Sequence, residues 1–178
     1  EKDSLSIYHL LHQYRLLAET LLAQCDDRIL EVMFFFKYYA LAAEQARVRF
    51  IVDTVAYDLN ILCQKAWQCG SPVLEPVLES FLEMEPYLER HGEREVLYPV
   101  RKMYGVLAGH FLAGDALSLA QPLLDRLRAM PEKEMDWLKE ELLTPMEPYF
   151  WEFTERKVNF NYLGERQREC LRPYLEQL

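Results

Sequence analysis

From Val32 to Ala43 the chain reads VMFFFKYYALAA: eleven apolar residues, five of them aromatic, around one charge, Lys37. Asp26, Asp27, Arg28 and Glu31 precede the run and Glu44 follows it. A helix that crosses a bilayer needs ~20 mostly apolar residues, so this stretch is too short and reads as the core of a folded domain. No Gly or Pro occurs from Glu1 to Cys69, so the residues that normally end helices are missing over that span. Only Asp26-Asp27 offers a fresh N-cap, which divides a first helix, about 4–24, from a second, about 27–69. At 1.5 Å per residue that second helix would be ~65 Å long, against ~40 Å across a compact chain of this length. The pattern therefore predicts an elongated domain with a bend.

On a helical wheel, 27–69 carries two apolar stripes. Phe34, Tyr38, Leu41, Val48, Val52, Val55, Leu59 and Ala66 form one. Phe36, Tyr39, Ala43, Ala46, Phe50, Tyr57 and Ile61 form the other, nearly opposite. A surface helix has a single stripe; two imply a helix enclosed on both flanks. Phe34 and Phe36 are accordingly both expected in the core, with Ala42, Ala43 and Ala46 allowing close approach.

Beyond Cys69 the punctuation returns. Ser71-Pro72 opens a third helix with Leu74, Leu78 and Phe81 inward, which Pro86 should kink and Gly92 end. Pro99 lies in a fourth, Gly114-Asp115 separates it from a fifth, and Pro131 opens a sixth. A short aromatic helix follows Thr144-Pro145, then KVNFNYL alternates apolar and polar residues as an extended segment does, and a last helix covers about 165–177. The fold class is all-α: an elongated bundle of about seven helices in one domain, 1–178, with a long central helix (27–69) and a short extended C-terminal segment.

Tyr104, Leu107, Ala108 and Phe111, followed by Ala120, Leu124, Leu127 and Pro131, resemble one tetratricopeptide unit. No second copy stands at the 34-residue period, and one unit cannot bury its own face, so the segment reads as an ordinary antiparallel helix pair.

The formal net charge is −9, with 29 acidic against 20 basic residues. That balance disfavours nucleic acid and anionic lipid as partners. Cys25, Cys63, Cys69 and Cys170 form no Cys-x-x-Cys pair, and no signal-like N-terminus precedes them. They read as reduced thiols in a cytoplasmic setting. A leading Glu1 reads as a piece of a longer chain.

Four groups of residues are candidates for chemistry or binding. Gln45, Arg49, Asp53 and Asn60 form a polar seam between the two stripes, a ligand-pocket wall if they converge. His9 and His12 share a helical face, but no further spaced ligands accompany them, so no metal is expected. Glu75, Glu79 and Glu83 make an acidic row, either solvated or a docking surface for a basic partner. Tyr149, Phe150, Trp151, Phe153, Phe160 and Tyr162 either clamp the tail to the bundle or meet another chain. The six glycines are scattered with no phosphate loop among them, and no Gly-x-Ser-x-Gly elbow occurs. The expectation is a non-enzymatic helical interaction or regulatory module without a cofactor, binding a protein partner or itself. One form of it makes the segment the cytoplasmic portion of a larger, membrane-attached protein. The alternative is a ligand-binding or catalytic bundle using the seam.

Overall fold

In the computed structural model, residues 2–45, 49–91, 96–145 and 161–178 are described, with the backbone alone for 2–4, 49 and 50. The first helix, α1 (Lys2–Ala23), closes on Cys25, whose φ is 53°. The Asp26 N–H donates to the Leu21 carbonyl and the Cys25 N–H to that of Leu22, both at 3.0 Å. This left-handed closure satisfies carbonyls that a helix end otherwise leaves bare. The Ile29 N–H then donates to the Asp26 carbonyl at 3.1 Å and α2 (Ile29–Gln45) begins. The boundary falls where Asp26-Asp27 predicts it.

The same joint is made twice more. Gly70 and Asp115 each have φ 60°. Ser71 donates to Ala66 and Ala116 to Phe111, both at 2.9 Å, and Leu74 to Ser71 and Leu119 to Ala116, both at 3.1 Å. Cys25, Gly70 and Asp115 are spaced 45 residues apart. The helix ends keep that spacing: Ala23, Gln68 of α3 (Arg49–Gln68) and Ala113 of α6 (Leu97–Ala113). So does the next element, since α2 is matched by α4 (Leu74–Leu82) and α5 (Met84–Arg90) together. Tyr14, Leu17 and Ala18 thereby correspond to Leu59, Leu62 and Cys63, and to Tyr104, Leu107 and Ala108. The pattern seen once at the 34-residue period is a helical hairpin recurring at 45.

With α7 (Leu117–Leu127), α8 (Glu132–Leu143) and α9 (Glu165–Leu175) there are nine helices and no strand among the described residues. α4 and α5 meet at Glu83 and count as one bent rod, which leaves eight, close to the expected seven. The bend comes ahead of Pro86, which sits in the first turn of α5, where a missing N–H costs nothing. The all-α class is as expected.

Two expectations need correction. Residues 27–69 hold two helices, α2 and α3, which pack on one another as two stretches of a single rod cannot. Lack of Gly and Pro removes a stop signal without forcing a helix to continue. Doubling back lets the apolar faces cover each other, and such packing outweighs propensity. In consequence one wheel cannot be carried across both helices. Phe36 is fully buried, but Phe34 is 56% exposed, so α2 is not enclosed on both flanks. The enclosed helix is α3, packed against α1, α2 and α4 and burying Ile51, Val52, Val55, Ala56, Leu59, Leu62, Cys63 and Ala66.

The described residues gather into two compact units, Glu1–Val100 and Arg101–Leu178. In the first, α3 is the centre, and Phe36, Met33, Phe81, Met84 and Leu88 close the core around it. In the second, a β-carbon at Gly105 of α6 would collide with Leu142 of α8, and one at Gly109 would lie 2.7 Å from Leu163. These glycines let α6 approach its neighbours closely. Lys102 pairs with Glu141 at 2.6 Å and Arg101 with Glu134 at 3.5 Å, holding α6 to α8. The tetratricopeptide-like residues Tyr104, Leu107, Ala108, Phe111, Ala120, Leu124 and Leu127 are all buried. The short aromatic helix, and the extended segment before Asn161, lie outside the described residues.

Candidate interaction face

Between Ser4 and Gln24 the chain has only two formal charges, Arg15 and Glu19. Both turn towards α3. Arg15 meets Asp58 at 3.4 Å, Glu19 meets Lys65 at 2.8 Å, and the two lie 3.8 Å from each other. The outward side of α1 is thus left without charge, and Leu5, Leu10, Leu16 and Leu17 are exposed on it. Beside it, the Phe35 ring of α2 stacks on Tyr14 at 5.6 Å, and Tyr39 lies 5.8 Å from Tyr14. Phe34 sits edge-on to Phe35, and Tyr38 to Tyr39. Tyr14, Leu17, Leu21, Val32 and Phe35, with Arg28 and Glu31, line a shallow groove of about 240 Å³.

The repeat supplies a comparison for this face. Leu10 and Leu17 are 40% and 46% exposed, whereas their counterparts Val55 and Leu62 on α3, and Val100 and Leu107 on α6, are wholly buried. α3 packs against α1 and α2 as well as α4. The outer row of α2 differs in another way. Leu30, Phe34 and Tyr38 are exposed, and so are their counterparts on the next hairpin, Glu75, Glu79 and Glu83. One backbone position in water thus carries glutamate on the second hairpin and a large apolar side chain on the first.

Burial sets the titration of the groups beneath. Asp58 is pushed up to about 7 by burial, with Arg15 pulling the other way and Glu19 adding to the rise. Burial lowers Lys37, partly offset by Glu83, and raises the Cys63 thiol. At the α1–α2 joint, a hydrogen bond from the Arg28 side chain holds Asp26 down to about 2.

The residues singled out in the sequence are distributed over several elements. Gln45 is the exposed last residue of α2, while Arg49, Asp53 and Asn60 belong to α3. The Arg49 side chain lies outside the described residues, Asp53 is half-buried, and buried Asn60 accepts a hydrogen bond from Gln64 at 3.0 Å. Glu75, Glu79 and Glu83 line the exposed side of α4 and its cap, and Tyr149, Phe150 and Trp151 lie outside the described residues. His12 faces Arg15 at 3.3 Å. Among the described residues no three His, Cys, Asp or Glu side chains gather as metal ligands, and no helix is long and apolar enough to cross a membrane.

Leu10, Tyr14, Leu17, Leu30, Phe35 and Tyr38 are the residues that sequence reasoning missed as a site. Two signals pointed to them: the scarcity of charge between Ser4 and Gln24, and the glutamate row read at a 45-residue offset. No family model, curated protein or solved structure matches the chain.

Proposed function

We propose that the chain is a non-enzymatic helical protein-interaction module acting in the cytoplasm. One observation carries this reading: the exposed row Leu30, Phe34 and Tyr38 stands where the equivalent row of the next hairpin is Glu75, Glu79 and Glu83. Glutamate is what a solvated helix face ordinarily holds; contiguous exposed aromatics mark contact surfaces. Tyr and Phe anchors give large buried area with few torsions to freeze, as interface centres require. All four cysteines are free thiols, in keeping with a reducing compartment.

A photo-crosslinking side chain tests the reading when placed at Phe34, and separately at its counterpart Glu79, in the protein in its own cells. Discrete adducts from position 34 and none from 79 are expected. No adduct from 34, or the same adducts from both, overturns the reading.

A further inference from the structure

We infer that the α1–α2 face is the dimerisation surface of the chain, and that its occupant is a second copy, the two α1 helices running antiparallel about a two-fold axis. The inference rests on the interaction reading above and names its partner.

The repeat shows what kind of object fits there. The line Val55, Leu59 and Leu62 is wholly buried on α3, a helix that has the hairpin of α1 and α2 packed against it as well as its own partner α4. The equivalent line on α1, Leu10, Tyr14 and Leu17, has the same residue character and no such cover, Leu10 and Leu17 being 40% and 46% exposed. α3 has a preceding hairpin packed on it and α1 has none, and a second copy of the chain presents such a hairpin.

Charge favours a copy. Two chains of net charge −9 repel unless they meet where neither is charged. The outward side of α1 meets that condition, because Arg15 and Glu19, the only charges between Ser4 and Gln24, are engaged with Asp58 and Lys65 on α3. The two charged residues lining the groove, Arg28 and Glu31, are of opposite sign, so the face offers a basic partner no net negative charge. A lipid surface is recruited by Lys and Arg, and between Ser4 and Gln24 the one such residue is Arg15, engaged with Asp58.

Symmetry and area agree. A two-fold contact requires that if one residue meets a second, the second meets the first. Leu10 and Leu17 lie two turns apart on one line with Tyr14 between them, so antiparallel placement sets Leu10 of one copy against Leu17 of the other, twice. Leu10, Leu17, Phe34, Phe35 and Tyr38 are 40% to 56% exposed. With ~150–250 Å² for a large side chain, the five leave on the order of 500 Å² of apolar surface bare. A stable interface needs ~800 Å² per partner, a little over half of it apolar. The patch is the size a dimer uses.

Sedimentation equilibrium of the full chain over about 0.1–100 μM decides the matter. A reversible monomer–dimer equilibrium is expected, strengthened by added salt because salt screens the −9 self-repulsion. Leu17→Glu, which places a charge on the seam, should weaken dimerisation about tenfold or more. Phe35→Ser, which installs the residue found at the matching position Ser80, should weaken it as well. Both positions are partly exposed, so the far-ultraviolet circular dichroism of each variant should match the parent. A monomer across the range, or a dimer indifferent to both substitutions, overturns the inference. If the chain is monomeric and position 34 still yields a discrete adduct with another protein, only the second copy falls. If position 34 yields no adduct, the broader reading falls too.

Discussion

At Cys25 an L-amino acid is held at φ 53°, a conformation that costs roughly 1 kcal/mol for any residue with a β-carbon. Its exposed side chain returns little, a long hydrogen bond with the Ser71 hydroxyl at 3.9 Å. Cys25→Gly should therefore stabilise the protein by about 0.5–1 kcal/mol in urea unfolding. Gly70→Ala should cost about the same: φ is +60° and a β-carbon there meets nothing within 4 Å, so the backbone alone decides. Asp58 sets a pH dependence of unusual sign for a carboxylate. Its folded value of about 7 lies above its ordinary 3.8, so between these the native state keeps a proton that the unfolded chain has released. The contribution to stability is full below pH ~4 and is lost as pH rises through ~7. Asp58→Asn should be nearly neutral at pH 4 and stabilising at pH 8, by on the order of 3 kcal/mol, measured as unfolding free energy against pH. A variant whose stability tracks the parent across that range would show that Asp58 titrates normally.

Among the elements, those bounded by chemistry were the legible ones. Asp26-Asp27, Ser71-Pro72, Gly114-Asp115 and Pro131 each mark a place where one helix gives way to the next. The division of α2 from α3 was not legible, because nothing between Gln45 and Arg49 resists helix; what separates them is the packing each finds on the other. Close approach is equally hard to read. Gly105 and Gly109 look like weak points in α6, yet their bare backbone is what admits Leu142 and Leu163. Gly109→Val should cost about 1–3 kcal/mol in thermal unfolding despite the better helix propensity of valine, since its β-carbon would lie 2.7 Å from Leu163 and 3.6 Å from the Gln167 carbonyl. A melting temperature unchanged or raised would mean that α9 moves aside at no cost.

For the whole molecule, the all-helical character of the described residues followed from helical periodicity and from the residues that punctuate helices. The candidate face did not, for a reason that Leu17 and Leu62 make plain. The two occupy matching places in matching helices, one 46% exposed and one buried. Exposure belongs to the neighbours a helix acquires, and no local pattern records it. For a related reason Gln45 leaves the polar seam: it shared a wheel with Arg49, Asp53 and Asn60 only while one rod ran through all four, and it ends α2 while they belong to α3. The 45-residue spacing of Cys25, Gly70 and Asp115 has a consequence of its own. Each position in the first hairpin has a twin in the second with the same backbone turn beneath it but different company around it. The molecule thereby holds matched trials of what a side chain does under cover and in the open, side by side within one polypeptide.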